Sequence, residues 1–190
     1  MSRPAAVPGA KATLFLSLAM SLMGIGGIVS AYGLLTVPAA ELTPIEMVPG
    51  SADVTRAMMA AMSASPVMKA LAVANLLVSG LLVVASVVLS ARRPSAIWWA
   101  RQALFANVLY TVAHAVGNVW FGHEHPEIVE AMATLGRGSE PLPEGMPTLA
   151  IFAVSSSCGA LILLGIYTVM IRVTGRADVR GFVGREAAEN

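Results

Sequence analysis

Charge is what this chain has least of. Only 12% of its residues are Asp, Glu, Lys or Arg, against 56% hydrophobic, whereas soluble domains carry about 25% charged residues. A mean hydropathy of +0.74 therefore excludes an ordinary soluble domain and makes this an integral membrane protein. Cysteine is nearly absent too. Cys158 stands alone, which excludes an intramolecular disulfide and any cysteine-based metal cluster. The long apolar runs contain no Asp or Glu, and no Gly-rich phosphate loop follows a strand pattern. Ser155, Ser156 and Ser157 have no base in reach of the sequence pattern beyond His114, so catalysis has no support. The cations are scattered and not interleaved with aromatic residues, which excludes nucleic acid as a partner.

What is present is four runs long enough to span a hydrocarbon layer, a task that takes about 20 apolar residues in a helix. They cover about 12–36, 67–90, 96–121 and 148–171. The expected fold is an all-α, four-transmembrane-helix up-down bundle over residues 1–172, with 173–190 as a mobile basic cytoplasmic tail. The ARRPS turn at 91–95 is so short that the helices on either side must be antiparallel neighbours. Pro94 sits at the start of the third, where a missing N–H does no harm.

Charge sets the orientation. The N-terminal segment, the 91–95 turn with Arg101, and the C-terminal tail hold Arg3, Lys11, Arg92, Arg93, Arg101, Arg172, Arg176, Arg180 and Arg185 against only Asp178, Glu186 and Glu189. The two longer loops carry Glu41, Glu46, Asp53, Glu124, Glu127, Glu130, Glu140 and Glu144 against Arg56, Lys69 and Arg137. Cationic segments stay in the cytoplasm, so both termini are expected inside and both acidic loops outside. Trp98 and Trp99 mark the inner boundary of the third run, Trp120 and Phe121 its outer one. A rival reading takes Arg3, Lys11 and the small residues Val29-Ser30-Ala31 as a cleaved signal peptide. The apolar run of about 18 residues exceeds the 7 to 15 of a signal core, which favours a retained helix.

Each acidic loop contains a short amphipathic stretch. In ADVTRAMMAAMSA, Val54, Met58 and Met62 recur at helical spacing; in PEIVEAMATLG, Ile128, Met132 and Leu135 do so, with Gly136 as the helix stop. Both stretches are expected to lie along the outer interface or to cap the bundle.

Polar residues inside the spans are ordered. Asn107, Thr111, His114 and Asn118 fall within about 60° of arc on the third helix. Asn75, Ser79, Ser86 and Ser90 line the second, Thr13, Ser17, Ser21, Gly24 and Ala31 the first, and Ser155–Gly159 with Gly165 the fourth. Helices in lipid gain no hydrophobic drive to associate, so small and polar residues are first of all packing residues, with Asn75 and Asn107 as candidate partners. His114 is different. It lies about 10 Å below the outer boundary, where an ionisable group is costly unless neutral and paired. It is either a neutral structural group bonded to a neighbour such as Asn118 or the centre of a ligand or ion pathway through Asn75, Asn107, Thr111, His114 and Asn118.

Outside the third run stands HEHPE, whose His123, Glu124 and His125 could hold zinc or copper, with Met58, Met59, Met62 and Met68 as soft ligands on the same side. A bis-histidine haem would need a second buried histidine, which the chain does not have; the sequence names no cofactor. The expected function is that of a non-enzymatic multi-pass protein, an interaction or accessory subunit in contact with the bilayer and with copies of itself or a larger membrane complex. The alternatives are small-ligand, lipid or ion transport centred on His114, and an outer metal or redox role.

Overall fold

The structure, a computed structural model, describes residues 9–36, 51–135 and 146–184. Every regular element among them is helical. The order is α1 (Ala10–Thr36), α2 (Ser51–Ala64), α3 (Pro66–Ser90), α4 (Ala96–Glu124), α5 (Pro126–Leu135), α6 (Thr148–Thr174) and α7 (Ala177–Gly184). Four of these, α1, α3, α4 and α6, are long and apolar enough to cross a membrane, which marks a multi-pass membrane protein. Gly136, the expected helix stop, lies outside the described residues, as do the acidic positions Glu41, Glu46, Glu140 and Glu144.

Helix ends follow local chemistry. Ser65 alone separates α2 from α3; its Oγ accepts from the Met68 N–H at 3.4 Å, an N-cap followed by Pro66 at the first helical position. Pro126 likewise ends α4 and opens α5. α3 closes with a left-handed Arg92, φ 50°. The Arg93 N–H reaches the Val88 carbonyl at 3.3 Å and the Arg92 N–H reaches that of Leu89 at 3.1 Å, the paired bonds of a Schellman cap. A non-glycine residue in this conformation costs about 1 kcal/mol. The Arg92 guanidinium lies 4.2 Å from the centre of the Phe182 ring, and a cation–π contact of about 1 kcal/mol offsets that cost.

The chain divides into two compact units, one drawn from the ranges Met1–Val29, Asn75–Tyr110 and Leu163–Asn190, the other from Ser30–Ala74 and Thr111–Ile162. In the first, Leu16, Met20, Leu82, Leu89, Leu104, Tyr167 and Met170 form the core together with Ala85, Ala96, Ala100 and Ala103. In the second, Met68, Phe121 and Ile128 form a smaller cluster with Met58, Met62 and Leu71 against it. Here α2 packs on α5, so both methionines that the sequence placed on one face of α2 are used for packing.

Burial runs opposite to that of a soluble bundle. Leu14 (71% exposed), Leu77 (69%), Leu109 (71%) and Val154 (69%) face outward while Thr13, Ser17, Ser79, Ser86, Asn107 and Thr111 are buried. Such an apolar exterior would be an aggregation surface in water and is the natural surface in lipid.

The expectation of a mobile tail after Arg172 is revised: residues 177–184 form α7, which buries Val179, Phe182 and Val183; the latter two join the first unit's core. Those three sit at i, i+3 and i+4, one face of a helical turn. Of the two aromatic residues at the expected outer boundary, Phe121 is 4% exposed and Trp120 54%. Consecutive helical residues diverge by about 100°, so Trp120 faces outward while Phe121 enters the core.

Candidate functional site

In the first unit, the stripes of α1 and α3 meet each other. Ser17 Oγ donates to the Ser86 carbonyl at 3.0 Å and lies 2.5 Å from Ser90 Oγ; Ser21 Oγ lies 2.7 Å from Ser86 Oγ. Farther along, a Cβ on Gly24 would come within 2.8 Å of the Ser79 carbonyl, and one on Gly27 would collide with Ser79 Oγ. Rising numbers on α1 meet falling numbers on α3, so the pair is antiparallel. The glycines allow the backbones to approach, and the hydroxyls bond across the seam.

The two asparagines of this unit have separate partners. Asn75 Nδ2 donates to the Gly27 carbonyl at 3.2 Å and its Oδ1 accepts from Ser79 Oγ at 2.9 Å, which ties it to the α1 seam. Asn107 Nδ2 donates to the carbonyls of Val78 (3.1 Å) and Ala103 (2.9 Å), and its Oδ1 accepts from the Tyr167 hydroxyl at 3.4 Å. One buried amide thus joins α3, α4 and α6. The expected link between Asn75 and Asn107 is replaced by bonds from each to backbone carbonyls and hydroxyls. Such bonds satisfy most of an amide's capacity. Tyr167 was not singled out in the sequence; its spacing with the buried Met170 and Thr174 was the available signal.

The other stripe residues belong to the second unit. Thr111 is buried, and His114 and Asn118 are half-buried. Asn118 Nδ2 lies 3.3 Å from His114 Nδ1, a bond within one turn of α4. A Cβ on Gly117 would collide with Leu71, which places this stretch of α4 close against α3.

At the end of α4, His123 and Glu124 are exposed in its last turn. His125 follows as the joint to α5, where it stacks on Phe121 at 4.7 Å and bonds Glu127 at 3.3 Å. Two residues apart on a helical path, His123 and His125 diverge by about 200°. Among the described residues no group of three or more His, Cys, Asp or Glu side chains is arranged to hold a metal.

At the opposite end of α4, Arg101 Nε donates to Thr174 Oγ1 at 3.1 Å, and a Cβ on Gly175 would lie 3.2 Å from the same guanidinium. Arg176 forms two bonds to Asp178, 3.0 and 2.8 Å. These hold the Asp178 carboxyl below the ordinary aspartate range and raise the Arg176 guanidinium above its own. Compared with protein-family models, curated proteins and solved structures, the chain matches none.

Proposed function

We propose that the chain is a non-enzymatic interaction or accessory subunit of the membrane, one whose polar seams hold it together and whose leftover small-residue faces receive a partner helix. One observation carries this reading. Gly24 and Gly27 serve close helix approach, but Gly26, Gly33, Gly80, Gly159 and Gly165 have nothing within 4 Å of where a Cβ would sit. Glycine inside a helix costs about 0.5 to 1 kcal/mol relative to alanine, and in lipid its usual return is close approach of another backbone. α6 agrees, since its only buried residues are Tyr167, Met170 and Thr174 near one end while Ser155, Cys158 and Gly159 stay exposed.

The arrangement that goes with this reading is an up-down-up-down bundle with both termini cytoplasmic. The short helices α2 and α5 lie amphipathically at the outer interface, as the charge distribution argues. The hydrogen bonds of Asn75 and Asn107 to neighbouring helices support the packing reading.

A photoreactive amino acid placed at Gly26, Gly80 or Gly159 in native membranes tests the proposal. A discrete protein adduct at one of these positions, and none at the lipid-facing Leu109, is expected. Lipid adducts alone at all four positions would overturn it.

A further inference from the structure

Along α4, Trp98, Arg101, Gln102, Phe105 and Leu109 fall within about 100° of arc, and all five are exposed. The end of this row nearest the 91–95 turn is polar, and the rest is apolar. We propose that the row holds one anionic phospholipid, its phosphate on Arg101 with Trp98 and Gln102 beside it and an acyl chain along Phe105 and Leu109. From Trp98 to Leu109 the helix rises about 16 Å, about half of a hydrocarbon core some 30 Å thick. The track is as long as one leaflet is deep.

Arg101 distinguishes this row from a solvated surface charge. Its Nε donates to Thr174 Oγ1 at 3.1 Å; Thr174 is fully buried, and its own hydrogen goes to the Ile171 carbonyl. The side chain is therefore anchored from α4 to the end of α6. Among the described residues this is the one hydrogen bond of the guanidinium, so four of its five N–H groups, those of Nη1 and Nη2, remain for a ligand. Gly175 keeps room beside them, since a Cβ there would lie 3.2 Å from Nη2. Two parallel N–H groups on a planar, fixed guanidinium match two oxygens of a phosphate, and an arginine already held in place loses less freedom on binding. Trp98, one turn earlier on the same side, sets its ring edge-on to Trp99 at 5.1 Å. Its indole N–H is a neutral donor at headgroup depth.

Charge selects the lipid. Lys11, Arg93, Arg172 and Arg180 are exposed at the same end as Arg101, and Asp178, the one carboxylate among the described residues of the first unit, is bonded twice to Arg176. The ammonium of a zwitterionic headgroup would meet cations there, whereas a headgroup of net negative charge is attracted. A soluble phosphate has no chain to lay along Phe105 and Leu109, which separates the lipid from the free ion.

Thermal unfolding and native mass spectrometry of the full chain in maltoside micelles test the proposal. Phosphatidylglycerol should raise the unfolding temperature and stay bound as one lipid per chain, while phosphatidylcholine and glycerol 1-phosphate should do neither. Arg101→Gln should lose most of the shift and of the retained lipid. Thr174→Val, which keeps the charge but not its anchor, should lose part of both, and Arg180→Gln, which removes an equal charge from the same end, should lose neither. Equal effects of phosphatidylglycerol and either other ligand, or equal losses in Arg101→Gln and Arg180→Gln, would overturn it. If Arg101→Gln does not fold, Gln102→Glu decides, because it sets a carboxylate beside the phosphate at an exposed position. Loss of the lipid in that variant supports the site, and retention refutes it.

Discussion

Asn107 and His114 sit on the same stripe of α4, seven residues apart, Asn107 buried and His114 half-buried. Asn107 is 3% exposed and bonds across to Val78 and Tyr167 as well as to Ala103 on its own helix. The bond recorded between His114 and Asn118 lies within one helix. Interhelical polar contacts in membranes average about 0.6 kcal/mol, with a maximum near 1.7. Asn107→Leu should therefore cost about 1 to 2 kcal/mol in detergent unfolding, and a double-mutant cycle with Tyr167→Phe should return about 0.6 kcal/mol of coupling. His114→Leu removes the bond to Asn118, and a loss as large as that of Asn107→Leu would show that the histidine is a principal packing group. At Asp178 the relevant variable is pH. Its carboxyl is held below the ordinary aspartate value of about 3.9, first by the hydrogen bond from Arg176. The folded form thus binds its proton less readily than the unfolded chain does. The contribution to α7 is full above the ordinary value and is lost as pH falls through the lowered one. Hydrogen exchange across α7 should accelerate over that acid range, and Asp178→Asn should remove this component of the pH dependence.

At the scale of elements, the seam between α1 and α3 should be the least tolerant of added bulk. A Cβ on Gly27 would collide with Ser79 Oγ and meet Asn75 Oδ1 at 3.2 Å, so Gly27→Val should cost about 1 to 3 kcal/mol. Gly26→Val, one residue away with open space around it, should leave monomer stability within about 0.5 kcal/mol in detergent. Comparable losses in both would mean that the outward glycines also serve the fold. Much of this seam was legible in advance, because Ser17, Ser21 and Gly24 on one helix and Asn75, Ser79, Ser86 and Ser90 on the other are periodic small or polar residues in apolar runs. Periodicity marks a face but not its partner, which is why the stripes alone pair Asn75 with Asn107 although each bonds elsewhere. The helix α7 was hidden for another reason. Its eight residues ADVRGFVG contain two glycines and average out as polar, while its three apolar residues acquire meaning only when a core is available to receive them. Phe182→Ala should cost about 3 kcal/mol of α7 docking, seen as lost exchange protection over 177–184 while the α1–α3 seam stays protected.

For the whole molecule, the distribution of polarity argues for lipid more strongly than hydropathy alone. A chain whose buried positions include Ser79, Ser86, Asn107 and Thr111 and whose exposed ones include Leu77, Leu109 and Val154 is built for a solvent without hydrogen bonds. In such a medium a hydroxyl or amide left outside is the expensive choice, and apolar surface costs nothing to expose. Orientation then depends on the cations, since Lys and Arg in short segments resist translocation whereas Asp and Glu contribute little. The 91–95 turn carries Arg92 and Arg93, and the α2 and α5 regions carry Asp53, Glu127 and Glu130. Cysteine accessibility can decide it, because Cys158 is the only thiol to remove first. In a Cys158→Ser background, Ala64→Cys and Glu130→Cys should react with a membrane-impermeant thiol reagent on intact cells. Ser95→Cys, also exposed, should react only after permeabilisation. Labelling in the reverse sense would invert the protein and place the basic end outside, and labelling of all three sites on intact cells would refute the single span, α3 or α4, that separates Ser95 from each of the other two.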